Sequence, residues 1–451
     1  MLRAISFLFL AVAAAPAWLA AQTSPEIARI LERLERLERE NRDLAAEVRS
    51  LRAELGLRPP PATPAPPDAP PAATLADRLE IAERRVEEQA QTKVEAAQKF
   101  PIRLTGMALF NAFSNGRDNN DSDYAGVAAP NLYHRSGATF RQSMVGFDFR
   151  GPATVAGGRV SGSLFVDLYG GAGTSLNEMM RLRTASLQIE WETRSVMVGL
   201  EKPIFNPRDP SSLARVGVSP LTGAGNLWLW LPQVRFEQDV GWTGGGLRGQ
   251  IGVVQTREVG PLDGAPAGVQ VERLRPGLEG RLEWRQRFSE DRRIEVAPGF
   301  HVSQTHIGRA SIPSRVFSLD WLLAPTRFFE LTGVFYKGQN VSHFGTGGSR
   351  QGYVYTDSAA YAIRTYGGWG QATLKPAERV ALHLFTGQMD DRNRDLRRGA
   401  LGKTVVWGGN VYYYLAPNVI AAFEATQTRS LYLGTSLYRN NHYDLALAYL
   451  F

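Results

Sequence analysis

The chain contains no cysteine. That excludes a disulfide framework, a cysteine-ligated zinc site, a thiol nucleophile and an N-terminal lipidated cysteine. Beyond residue 21 no uncharged apolar run approaches the roughly 18–20 residues a spanning helix needs. Histidine is scarce: the six, His134, His301, His306, His343, His383 and His442, show no zincin-type spacing, so no metal site is expected. No phosphate-cradling glycine loop, nucleophile elbow or credible catalytic carboxylate pair is visible, and neither a catalytic residue nor a cofactor is expected. The acidic run DNNDSDY (118–124) lacks the turn glycine of a calcium loop and reads as a solvated loop. The abundant residues are 45 glycines and 45 aromatics, the signature of many turns joining many strands.

Residues 1–21, MLRAISFLFLAVAAAPAWLAA, carry one Arg, a short apolar core and then small residues. They read as a secretory signal peptide cut after Ala21, the alternative being a retained short anchor. Export, absent cysteine and abundant aromatics together point to a Gram-negative envelope.

Residues 22–57 form a predicted coiled coil. Ile27, Ile30, Leu34, Leu37, Asn41, Leu44, Val48, Leu51 and Leu55 recur in steps of three and four, a heptad seam for oligomerisation. Ser24 and Pro25 begin the helix and Gly56 ends it. Asn41, the single polar seam residue, would fix register and strand number. Arg33, Leu34, Leu37 and Glu38 resemble a local pattern seen in three-stranded coils, so a trimer is the favoured oligomer, although the coiled coil alone does not separate trimer from dimer; the alternative is a lone solvated helix. The proline-rich segment 58–73 is a semi-rigid spacer. Residues 74–99 read as a second helix with a thin apolar side.

From residue 100 to 451 the period changes to two. Sixteen segments alternate: 102–113, 139–150, 158–169, 180–192, 194–201, 230–239, 246–256, 276–288, 293–306, 315–324, 327–337, 363–374, 379–388, 403–415, 418–429 and 440–451. A soluble sandwich would alternate too. Here the connections after even segments are short and those after odd segments mostly long, the asymmetry of an outer-membrane barrel with short periplasmic turns. The chain also ends NHYDLALAYLF, with Tyr443, Leu445, Leu447, Tyr449 and Phe451 on one parity. Tyr449 and Phe451 thereby resemble the signal read by the barrel assembly machinery. Trp191, Phe149, Trp321, Phe329 and Tyr413 fall near the short-turn ends, as an aromatic girdle requires. The predicted fold class is an all-β transmembrane barrel of sixteen antiparallel strands behind an α-helical coiled coil. Its edges must close in lipid, and a ring of that size encloses water.

Residues 1–99 hold 14 basic and 15 acidic side chains of the chain's 51 and 44, leaving 37 and 29 in the barrel. A positive lumen favours anions. Arg273, Arg275, Arg281, Arg285 and Arg287 share the polar parity of the eighth segment, with Arg235 and Arg248 beside them. They form either a ladder for carboxylates and phosphates or a structural network neutralised by Glu279 and Glu283. Loop 202–229, with Pro203, Pro207, Pro210 and Pro220, would either fold into the lumen, placing Lys202, Arg208, Asp209 and Arg215 at a constriction, or remain an ordinary surface loop. Arg141, Arg181 and Arg183 share parity with lipid-facing neighbours, so either a bulge turns them inward or they sit at headgroup level.

The barrel pattern together with RQSMVGFDFRG (141–151), RLRTASLQIEW (181–191) and AGNLWLWLPQVRF (224–236) resembles the DcaP-like trimeric outer-membrane porins, and more loosely the phosphate-selective porins. That resemblance implies a homotrimer of sixteen-stranded barrels, a periplasmic coiled coil, and passage of small anionic or dicarboxylic solutes. Phosphate-selective porins use many lysines, whereas the barrel here has Lys202, Lys337, Lys375 and Lys403 alone. The expected function is passive diffusion of small hydrophilic, preferentially anionic (carboxylate or phosphate-like) solutes through the outer membrane. The alternative is a structural barrel tethered to the cell wall by its coiled coil, and an embedded hydrolase lacks an acid–base constellation.

Overall fold

In the computed structural model the described residues are 102–451, except 155, 171–177, 259–268, 347–349 and 357–359. The signal peptide, the heptad seam from Ile27 to Leu55, the proline spacer and the second helix lie outside them.

The strands follow in chain order: β1 (Ile102–Asn115), β2 (Arg135–Thr139), β3 (Met144–Ala153), β4 (Arg159–Asp167), β5 (Arg181–Glu190), β6 (Arg194–Glu201), β7 (Leu231–Trp242), β8 (Gly245–Arg257), β9 (Leu274–Arg287), β10 (Arg293–Ile307), β11 (Ala310–Thr326), β12 (Phe329–Gln339), β13 (Tyr353–Tyr355), β14 (Ala360–Ala362), β15 (Arg364–Ala377), β16 (Val380–Asp391), β17 (Leu401–Ala416), β18 (Val419–Tyr432) and β19 (Leu437–Leu450). Seventeen of them make one sheet, and β13 with β14 forms a separate hairpin. β2 and β3 both pair with β1, through Asn111–Asn115 and Ile102–Met107, so they are two pieces of one interrupted strand. The wall therefore counts sixteen positions, all neighbours antiparallel.

Closure is made by β1 on β19, from Met107 opposite Leu450 to Asn115 opposite His442. Phe451 continues that ladder: its N–H and C=O each bond Gly106, at 3.1 and 3.0 Å. The terminal aromatic thus closes the last backbone pair, as a sheet with no edge in hydrocarbon demands.

Alternation orients the wall. On β9, Leu278, Leu282 and Trp284 are exposed outward while Glu279, Arg281 and Glu283 are buried inward. On β10, Phe300 and Val302 face out, with His301 and Ser303 inside. The turns 191–193, 243–244, 327–328, 378–379 and 417–418 lie at one end, and the connections 116–134, 202–230, 340–363 and 392–400 at the other. At the long-loop end two connections are nevertheless tight: 433–436, and Gly308–Arg309, where β11 begins five residues earlier than alternation suggested and Gly308 adopts φ +55°.

The interior is not uniformly wet. Ile204, Phe205, Leu227, Val341 and Phe344 from inward-folded connections pack on Val254, Val316, Tyr336 and Met389 of the wall. A second apolar cluster joins Met107, Leu109, Tyr412, Ala422, Ala446 and Ala448 to Leu213 of the loop. Inward parity thus does not always mean contact with water, because the barrel's own loops fill part of the space.

Candidate permeation site

The connection between β6 and β7, residues 202–230, runs through the lumen. Its backbone and side chains reach inward-facing groups all round the wall. The Ile204 N–H donates to Glu279 on β9 (2.7 Å), and Ser318 on β11 donates to the Phe205 carbonyl (2.7 Å). The Ser211 N–H donates to Gln371 on β15 (2.7 Å), and Asn410 on β17 donates to the Ser211 carbonyl (2.8 Å). Ser212 donates to Glu424 on β18 (2.6 Å) and Asn111 on β1 donates to the Leu213 carbonyl (2.9 Å). Gln142, in the break between β2 and β3, donates to Ala214 and accepts from Val216 and Gly217. A segment held this way cannot lie on the surface, and the prolines at 203, 207, 210 and 220 limit its freedom further. Gly225, at φ +108°, passes so close to β15 and β16 that an added Cβ would lie 2.2 Å from the Gly368 carbonyl oxygen.

The loop divides the lumen between two charged walls. The first comprises β7 to β11. Arg281 donates to both oxygens of Asp320 (2.7 and 2.9 Å), to Glu283 (2.8 Å) and to Gln250 (3.0 Å). Arg208 of the loop donates to the same Asp320 (2.6 Å) and to Glu295 (2.8 Å). Burial lowers the Arg208 pKa, but the bonds to Glu295 and Asp320 outweigh it and hold the guanidinium above its ordinary range. Asp239 takes Arg285 (2.7 Å) and Arg248 (3.1 Å), and Arg235 meets Glu237 at 2.6 Å. Arg275 pairs with Glu258 at 2.6 Å where both are buried. Below the loop, toward the short turns, this wall bounds a cavity of about 690 Å³. Five arginines and six carboxylates line it, so its charge is nearly balanced.

On the same wall His301 joins Glu279 (3.0 Å) and Ser303 (2.8 Å) in a buried chain. Glu279 also accepts the Ile204 N–H, and Ser303 accepts from Arg275 at 3.3 Å. Those bonds hold the loop to the wall.

The second wall is the break after β2 together with β4 and β5. A bulge shifts the register where Phe165 and Val166 of β4 face Thr184 and Leu182 of β5. It turns Arg181 and Arg183 inward and leaves Leu182 outward, which answers the parity conflict in the sequence. Both arginines bond Asp167, at 2.7 and 2.9 Å, and both donate to loop carbonyls, Gly217 and Val216. They lie over Trp230 at 5.2 and 4.7 Å, while Arg141 lies over Tyr169 at 4.2 Å. Arg141 is buried inside the barrel, in the turn that interrupts the wall between β2 and β3.

The remaining sequence candidates are dispersed. Arg273 precedes β9 and is exposed, and Arg287 is exposed at its short-turn end. Lys202 pairs with Asp209. Arg215 is buried and donates to the Ala125 carbonyl (2.7 Å); burial is the main cause of its lowered pKa. Arg141, Arg181 and Arg183 belong beside these candidates; a strict period of two flags them but leaves open whether they turn inward or sit at headgroup level.

Two solved structures share this architecture. The outer membrane channel DcaP of Acinetobacter baumannii superposes with a TM-score of 0.68 at 15% identity, over 79% of this chain and 98% of that one. An anion-selective porin from Comamonas acidovorans gives 0.54 at 11% identity, over 78% of this chain and 100% of that one. No family model and no curated protein sequence matches the chain. At such identities the likeness is one of fold, and the fold is that of a DcaP-like outer-membrane porin channel, with looser similarity to other porins.

Proposed function

We propose that the protein is an outer-membrane porin that lets small hydrophilic solutes diffuse passively, with preference for anions such as carboxylates. The carrying observation is the unequal charge of the two walls. Arg181 and Arg183 lie over Trp230 and share the carboxylate of Asp167, two guanidinium groups to one acid. The facing arginines on β9 and the loop are matched by Asp320, Glu283 and Glu295. A solute anion passing the loop meets guanidinium charge left over on one side and a closed network on the other, in a channel whose low-dielectric wall focuses the field.

In this reading the seam from Ile27 to Leu55 assembles a homotrimer in the periplasm, and the mature chain inserts through the barrel assembly machinery. That a solved porin of the same fold is anion-selective supports this direction of selectivity. Reversal potentials in planar bilayers under a KCl gradient test the proposal. A chloride-favouring potential is expected, and a potassium-favouring one overturns the selectivity. Deleting residues 22–73 should leave single-channel conductance intact.

A further inference from the structure

The outward face of the barrel carries an unexplained excess of cations at its long-loop end. The outward positions of β12, β15, β17, β18 and β19 are apolar or aromatic through most of their length, as in Phe335, Tyr366, Trp407, Phe423 and Tyr443. Two to six residues further toward the long loops the same parity turns basic: Lys337, Arg364, Lys403, Arg429 and Arg439. Arg392, from the connection after β16, joins them. Lys337, Arg364, Tyr366, Asp390, Arg392 and Asn393 share a cleft of about 620 Å³.

The available carboxylates do not cancel this charge. Asp390 bonds Lys403 (3.0 Å) and the Tyr366 hydroxyl (2.9 Å), and Asp395 takes Arg364 through two bonds of 2.6 and 2.7 Å. Among the described residues no carboxylate lies within salt-bridge distance of Lys337 or Arg392. Desolvation, and then the like charges of Arg364 and Arg394, hold the Arg392 guanidinium below its ordinary range. On the same rim Arg429 and Arg439 stand directly opposite on adjacent strands, a like-charge pair whose one nearby carboxylate, Asp118, bonds the Arg439 N–H (2.8 Å). Arg429 is fixed over the Trp407 ring at 4.3 Å, so it does not simply swing away.

Cations on a lipid-facing surface are costly in hydrocarbon and favourable at headgroup level, where they meet phosphate. Guanidinium binds phosphate through two parallel bonds. We propose that this rim is a binding site for the phosphate groups of a phosphorylated glycolipid in the outer leaflet, with the Lys337–Arg364–Arg392 cleft as its centre. The inference rests on the reading of the barrel as an outer-membrane protein. The apolar columns directly beneath the rim favour an acylated ligand over a free anion, because the acyl chains would lie along Phe335 and Trp407 while the phosphates sit above.

Native mass spectrometry of the detergent-purified protein with bisphosphorylated, monophosphorylated and dephosphorylated lipid A tests this directly. Bisphosphorylated lipid A should bind most tightly and the dephosphorylated form at least tenfold more weakly. The Lys337→Gln/Arg392→Gln double variant, changed at exposed positions outside the lumen, should lose about tenfold in affinity for the bisphosphorylated form while keeping its bilayer conductance. Equal binding of all three lipids, or an unaffected double variant, overturns the site. Displacement of the lipid by millimolar inorganic phosphate shows a free-anion site and overturns the lipid assignment. Conductance without lipid binding separates failure of this site from failure of the channel reading.

Discussion

The two walls of the lumen solve different problems with the same residue. On β7 to β11 arginine is structural: Asp320, buried to 0% in its side chain, receives Arg281 from the wall and Arg208 from the loop. Buried charge is tolerable only when paired and hydrogen-bonded, and both Asp320 oxygens accept guanidinium bonds. Across the loop, Arg181 and Arg183 share one carboxylate and spend further donors on loop carbonyls. The loop therefore locks onto one wall by matched charge, and to the other by backbone, leaving positive field in the gap. Arginine count alone would have ranked the walls in the opposite order.

The largest effect should come from Asp320→Ala. It removes the carboxylate that Arg281 and Arg208 share, leaves each with one other acidic partner, Glu283 and Glu295, and should cost about 3 kcal/mol. Thermal unfolding in detergent should shift downward, and single-channel traces should grow noisier as the loop loses its ion pair to β11. Trace noise like that of the unsubstituted protein would mean that the neutralised wall is incidental to the loop's position.

Gly225→Val attacks the loop elsewhere. With φ at +108° and carbonyls of Gly368 and Gln388 at 2.2 and 2.6 Å from any added Cβ, the backbone must move away from β15 and β16. Altered unitary conductance is expected with a barrel that still resists unfolding, because the wall strands are untouched. Unaltered conductance would separate the loop from the permeation path.

The comparison sharpens in selectivity. Arg181→Gln with Arg183→Gln should reduce the chloride-to-potassium permeability ratio severalfold at 0.1 M salt, and less at 1 M, where the Debye length falls to about 3 Å. Arg285→Gln, on the matched wall, should change the ratio much less. The reverse ranking would transfer the selective role to β9.

Most of this barrel is visible in the sequence because lipid imposes a strict period of two. The strand over 194–201 coincides with β6, and the others begin and end within a few residues of the observed ones. What alternation could not reveal were its own interruptions. The turn holding Arg141 splits β2 from β3, and one extra residue in β5 turns Arg181 and Arg183 inward. Nor does spacing give the partners of the loop. Arg208 finds Asp320 across 112 residues and Ser212 finds Glu424 across 212, contacts that exist only once the ring has closed. The apolar content of 202–230, with Ile204, Phe205, Leu213 and Leu227, was the available signal that this segment packs inside rather than outside.

The smallest effect concerns the matched side again, where the connection after β12 packs on the loop. His343 is buried against His301 and Phe344, Arg275 is the charge that acts on it most strongly, and neither ring nitrogen meets a partner among the described residues. Glu279, bonded to His301, and Glu258, bonded to Arg275, are the carboxylates of the same region. Burial first, then Arg275 and His301, push the His343 pKa well below 6.5. Above pH 6.5 the imidazole is neutral folded or unfolded and contributes no pH dependence. As pH falls below 6.5 the unfolded chain takes up a proton that the folded one refuses, so stability declines by up to about 1.4 kcal/mol per unit until the folded pKa is reached. Unfolding midpoints between pH 7.5 and 5 should show that slope, and His343→Leu should flatten it. A slope that persists in the variant would assign the acid sensitivity to other groups on this wall.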